Sequence, residues 1–120
     1  MFYLGVDHHT KTSHLTLTGE CGKILARRGI ATREEDLIAA LGEFKEEPIK
    51  AVLEAGYNWG KMYDWLGEIA DEIVLAHPQK VRAIADARIK TDTIDSETLA
   101  HLLRADLIPE DMPALRRQGR

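Results

Sequence analysis

Cysteine is nearly absent from this chain of 120 residues: the single Cys21 has no partner for an internal disulfide and cannot build a cysteine zinc site. Long apolar runs are missing as well. None approaches the roughly 18 residues of a membrane span, and Met1–Asp7 is too short, and too uncharged at its start, for a signal peptide. Positive charge is in deficit, with 16 Lys and Arg against 20 Asp and Glu, a net charge of −4 and a pI of about 5.7. That excludes a protein that coats nucleic acid through bulk positive charge. It leaves room for a local basic face, or for a metal ion that brings the charge. There is no Gly-rich phosphate loop of Walker or dinucleotide type, no internal repeat and no low-complexity segment, and serine is limited to Ser13 and Ser96. What is present is 44% hydrophobic residues in 13.5 kDa, enough for one domain with a modest core. A soluble, reduced, cytoplasmic domain is expected.

The first thirty residues carry strand patterns. Phe2–Asp7 (FYLGVD) is an apolar strand ending in an acid. His14–Thr18 (HLTLT) alternates like a half-exposed strand, and Lys23–Ile30 (KILARRGI) follows a Gly19–Gly22 turn. Such short connections predict an antiparallel meander. The period then changes. Thr32 with Glu35 reads as a capping box opening a helix through Leu41. Ala51–Glu54 (AVLE) is a short apolar run that again ends in an acid. A helix from about Trp59 carries Met62, Trp65, Leu66 and Ile69 on one face, and Ile73–Ala76 (IVLA) has the composition of a buried parallel strand. Pro78 suits the first turn of a helix reaching about Ala87, and a last helix is predicted from about Thr93 to Arg104. The order β-β-β-α-β-α-β-α-α predicts an α/β fold: a mixed five-stranded sheet, meander plus parallel strands, flanked by helices. Residues 106–120 lack periodicity and are expected to form a loosely ordered tail.

Two predicted strands end in carboxylates, Asp7 and Glu54. Sites of α/β sheets lie at the carboxyl ends of strands, so if strands one and four are parallel neighbours, these acids emerge side by side. A third feature is KTDTID, residues 90–95. Asp92 and Asp95 are three apart, hence on one helix face. Extending that face through Leu99, Leu102 and Leu103 puts Asp95 at the head of the stripe that packs on the sheet. A carboxylate there is costly unless hydrogen-bonded, paired or metal-bound. Capping and coordination both remain open, since Asp92 suits an N-cap and Asp95 suits the first turn. Together Asp7, Glu54, Asp92 and Asp95 offer four carboxylates and no Cys or His at ligand spacing. All-oxygen ligation selects Mg2+ or Mn2+ over zinc, and two such ions about 3.5–4 Å apart can hold both oxygens of an in-line phosphoryl transfer.

Weaker candidates surround these. His8 and His9 follow Asp7 and stand at the mouth of such a site, although turn histidines are commonly inert. His77 before Pro78 reaches the same sheet edge. Glu97 with His101 reads as a solvated i, i+4 pair. Lys80, Arg82, Arg88 and Lys90 form a basic cluster that is either a solvated face or a backbone-phosphate contact.

The segments YLGVDHHTKTSHLTL, AVLEAGYNWG and AHPQKVRAIADARIKTDTIDSETLAHLLRADLIPE resemble the N-terminal domain of the Piv/MooV-type insertion-sequence transposases, the bridge-RNA-guided recombinase family. The KTD-x-x-D-x-x-x-LA core is the most specific part, and the likeness spans about Tyr3–Glu110. The resemblance implies an RNase H-like, RuvC-like DEDD domain over residues 1–105. Asp7, Glu54, Asp92 and Asp95 would be the catalytic, metal-binding acids with Mg2+ or Mn2+, and DNA the partner. It also implies a structured guide RNA as a possible partner, and a homo-oligomer is a further possibility. Family members carry a serine nucleophile in a C-terminal domain that these 120 residues lack, so this chain is expected to be incomplete for recombination. Three readings compete with a transposase domain: a stand-alone RuvC-like nuclease of branched DNA, a fragment of an actin-like ATP-binding fold, and a non-catalytic remnant.

Overall fold

The computed structural model describes residues 1–56, 58–89 and 94–110. The strands are β1 (Phe2–His8), β2 (Thr12–Thr18), β3 (Ile24–Ala31), β4 (Ile49–Glu54) and β5 (Glu72–Ala76). The helices are α1 (Glu34–Leu41), α2 (Trp59–Leu66), α3 (Pro78–Arg88) and α4 (Ser96–Arg104). The five strands form one sheet in the order β3-β2-β1-β4-β5. The first three pair antiparallel, as their short connections require. β1–β4 and β4–β5 are parallel; the chain reaches β4 from β3 through α1, and β5 from β4 through α2. The expected mixed sheet is therefore present, with β1 and β4 as neighbours.

Alternation along the strands sorts side chains to two faces. Leu4, Val6, Leu15, Leu17, Ala51, Leu53, Ile73 and Leu75 meet Leu37 and Leu41 of α1 and Met62 and Leu66 of α2. On the other face Val52, Val74 and Ala76 meet Val81 and Ala85 of α3 and Leu99, Leu102 and Leu103 of α4. The HLTLT segment is consequently not half-exposed: α4 covers the Thr16 side, and Leu15 through Thr18 are all buried.

Three local expectations need correction. The capping box does not form, because Arg33 rather than Thr32 occupies the N-cap of α1 and no side chain caps it. The Thr32 hydroxyl instead donates to the His9 carbonyl at 2.6 Å and lies 2.7 Å from Ser13 Oγ, tying the end of β3 to the β1–β2 connection. α4 starts at Ser96, with Asp95 as its N-cap, so Asp95 is exposed and does not head the buried stripe. That stripe runs through Ser96, Leu99, Ala100 and Leu103. After α4 the chain is docked rather than loose as far as Glu110. Leu107 and Ile108 pack on the second core cluster, the His77 amide donates to the Pro109 carbonyl at 2.9 Å, and Glu110 bridges to Ala76. Residues 111–120, the rest of the expected tail, lie outside the described residues. No helix among the described residues is long and apolar enough to cross a membrane.

Candidate active site

The parallel register sets the geometry of the site. Val6 lies opposite Leu53, so Asp7 and Glu54 each stand one residue further on, at the carboxyl ends of adjacent strands. Both alternate to the face that carries Gly5 and Val52, which is the face covered by α3 and α4.

Helix α4 reaches that face by unusually close approach. A Cβ on Gly5 would lie 2.0 Å from the Ser96 carbonyl oxygen and 2.7 Å from the Ala100 nitrogen, so the helix rests on bare strand backbone. A buried hydrogen bond of 2.8 Å between Thr16 Oγ1 and Ser96 Oγ, and a 2.7 Å ion pair between Arg27 and Glu97, fix its first turn over β2 and β3. At its other end the Arg104 guanidinium lies against Gly22, which holds φ 88 in the β2–β3 turn. That turn follows Thr18, the partner of Tyr3 at the start of β1. Helix α4 thus runs antiparallel to β1 and presents its N-terminus at the edge where Asp7 and Glu54 emerge.

The carboxylates there have different surroundings. Asp7 is 28% exposed and its Oδ1 lies 3.1 Å from His9 Nε2. Glu54 is half-buried, and its Oε2 is buried with no hydrogen-bond partner among the described residues. Burial pushes the Glu54 carboxyl above its ordinary value; the nearby Arg82 opposes this, and the Asp7 charge adds to it. Asp95 accepts from the Thr98 amide at 2.8 Å with one oxygen, as an N-cap does. Asp92 lies outside the described residues. Two of the four predicted acids are therefore side by side and a third stands at the same edge in a capping role. Among the described residues, no three His, Cys, Asp or Glu side chains gather as a ready metal cage.

His8 alternates to the opposite face of the sheet from Asp7, where its Nε2 donates to the Asn58 carbonyl at 3.1 Å. His77 caps α3, its Nδ1 accepting weakly from the Lys80 amide at 3.4 Å. Arg82 of the basic cluster is the residue whose place beside Glu54 sequence reasoning missed. Its only signal was a position four residues into the helix that follows β5.

A raised carboxyl has a definite sign in stability. Glu54 favours the fold while protonated, below its ordinary 4.5, and that contribution is lost as pH rises through the raised value. Glu54→Gln should therefore melt higher than the unchanged chain at neutral pH without metal, with the difference closing below pH 4.5. Melting curves across that range check it, and a Gln variant that is less stable at neutral pH would mean the carboxylate is already well paired.

Comparison with known proteins bears on what this edge does. A search of curated proteins gives no match. Among solved structures, T. thermophilus RuvC in complex with Holliday junction substrate is similar at 12% identity, with a TM-score of 0.55, over 92% of this chain and 99% of that one. That likeness shows the RNase H-like, RuvC-like fold. The IS110-type DEDD family, described as transposase, matches over residues 4–116. The chain accordingly belongs to this transposase family, as a DNA transposase/recombinase catalytic domain on a RuvC-like fold.

Proposed function

We infer that Asp7 and Glu54, joined by Asp92 and Asp95, hold a divalent hard cation, Mg2+ or Mn2+, and use it to cleave and transfer DNA strands during transposition. The observation that carries this is the buried Glu54 Oε2, without a hydrogen-bond partner among the described residues, beside Asp7 at adjacent strand ends. An orphaned carboxylate oxygen in a half-desolvated place is costly, and an oxygen-only donor set suits these cations. A cation bound there supplies the positive charge that stabilises the attacking and leaving oxygens of a phosphodiester.

The chain's own residues do the positioning. Asp7, central on the sheet, sits where it can bind from one side while His9 orients its outer oxygen. Glu54 binds from the next strand, with Arg82 offsetting part of the repulsion between the two acids. Asp95 spends one oxygen on the Thr98 amide, which holds the carboxylate still and leaves the other oxygen for coordination. DNA as partner is supported by the transposase family and by the junction bound to the RuvC relative. A cytoplasmic place of action fits a DNA-acting domain, and a guide RNA and self-association belong to the same reading through the family resemblance. Residues 1–105 would form the catalytic unit, with the segment to Glu110 docked against the end of β5 by a single bridge.

Neither serine can serve as the family's nucleophile. Ser13 is 0% exposed and bonded to Thr32, and Ser96 is 6% exposed and bonded to Thr16. The purified chain should therefore nick supercoiled DNA slowly with Mn2+, lose this in Asp7→Asn, and form no product joining two duplexes. A gel assay reads both. Nicking that survives Asp7→Asn would remove the acids from the reaction, and efficient strand exchange by these 120 residues would show that no exposed serine is needed.

A further inference from the structure

One residue beyond Asp7, on the opposite face of the sheet, a cavity of about 170 Å³ opens between β1, the end of β3 and α2, lined by His8, Thr10, Thr32, Asn58, Lys61 and Trp65. Its walls are tied together. Asn58 holds φ 59 at the N-cap of α2, and its carbonyl accepts from His8, so the start of α2 is pinned to the end of β1. Thr32 is committed to His9 and Ser13, which closes the floor.

The groups left over are donors. Lys61 is exposed and makes no ion pair among the described residues. The Thr10 hydroxyl is exposed, and the Asn58 side chain makes no capping hydrogen bond to α2. Among the described residues no carboxylate lines the cavity, although the chain carries a net charge of −4. The contrast is with a cavity of about 350 Å³ at the far edge of the sheet, where Glu47, Glu68 and Asp71 outnumber Lys45. A pocket lined by a lysine and hydroxyls, with no acid among its described lining residues, selects an anion. Its distance of one residue from the strand-end acids selects an anion on the same polymer.

We propose that this cavity seats a phosphodiester of the nucleic-acid strand that passes over Asp7 and Glu54, with Lys61 and Thr10 as its donors and the half-buried Trp65 ring against the adjoining sugar. The inference rests on the reading that those acids act on a nucleic acid. It adds where the strand goes next: across the sheet edge from the α4 face to the α2 face.

Fluorescence anisotropy with labelled DNA and RNA strands of one sequence, and with a DNA duplex, tests this over a salt series. Lys61→Gln should keep the melting temperature, weaken binding about three- to fivefold, and shrink the salt slope by about 0.9 on duplex and about 0.7 on single strands, the signature of one lost phosphate contact. Lys45→Gln, at the acid-lined cavity, should change neither. The loss should be equal on DNA and RNA, because the contact is to phosphate. The seat is overturned if Lys61→Gln binds like the unchanged chain, if Lys45→Gln weakens binding equally, if the loss is confined to one sugar, or if the chain binds none of the probes at low salt. The Mn2+-induced rise in melting temperature should be the same with and without Lys61→Gln. An absent rise with a Lys61-dependent salt slope would sink the metal site and leave the seat standing; the opposite result would do the reverse.

Discussion

Gly5→Ala should destabilise the chain by about 3 kcal/mol or more, the upper end of the cost of overfilling a packed interior. The new Cβ would stand 2.0 Å from the Ser96 carbonyl and 2.7 Å from the Ala100 nitrogen. Both are backbone atoms of α4, so no side chain can turn aside, and the whole helix must lift. Lifting it opens the contacts of Leu99, Leu102 and Leu103 with the sheet and stretches the buried Thr16–Ser96 hydrogen bond. For a domain of this size that corresponds to a fall in melting temperature of roughly 10 °C or more. Gly60 is the internal control. It lies in α2, where an added Cβ would meet nothing within 4 Å. Gly60→Ala should therefore stabilise by about 0.5–1 kcal/mol through helix propensity. Two Gly→Ala changes of opposite sign, read by thermal melting, test the seating of α4. If Gly5→Ala melts within two or three degrees of the unchanged chain (roughly 1 kcal/mol), α4 does not sit on β1 as described.

The second large effect belongs to the acids. Without metal, burial first and the Asp7 charge after it raise the Glu54 carboxyl against the opposing Arg82, so the site works against the fold. Saturating Mn2+ should reverse this and stabilise by mass action, by about 2.7 kcal/mol at a hundred times the dissociation constant. Asp7→Asn should leave the metal-free chain as stable or more stable and remove most of the metal response. Asp95 separates its two roles by chemistry. Asn is as good an N-cap as Asp, so Asp95→Asn should change metal-free stability little, whereas Asp95→Ala should cost about 1 kcal/mol through the lost Thr98 hydrogen bond. If Asp95 also ligates, Asp95→Asn cuts the Mn2+ response despite its intact cap, and Asp92→Asn should cut it too. A chain with no response up to millimolar Mn2+ would make Asp95 a cap alone and Asp7 with Glu54 an unused pair.

What the sequence determined by itself is the part that local patterning governs. Period-2 apolar runs, short meander turns and the strand-ending acids Asp7 and Glu54 sufficed for a mixed five-stranded sheet with those two residues at one edge, because side-chain alternation and connection length constrain strand pairing strongly. Tertiary structure decided what depends on neighbours distant in the chain. Thr32 is drawn from its capping box by His9 and Ser13, partners 23 and 19 residues away. Gly5, unremarkable in an apolar strand, becomes the contact that seats α4 on β1, and with the helix beginning at Ser96 Asp95 is an exposed cap rather than a buried stripe residue. Arg82 beside Glu54, and Lys61 in a cavity without acids, likewise follow from how the helices pack on the sheet. Periodicity specifies which face of an element is apolar; only packing fixes how that face is seated on its neighbours, and the charges at the sheet edge take their surroundings from that seating.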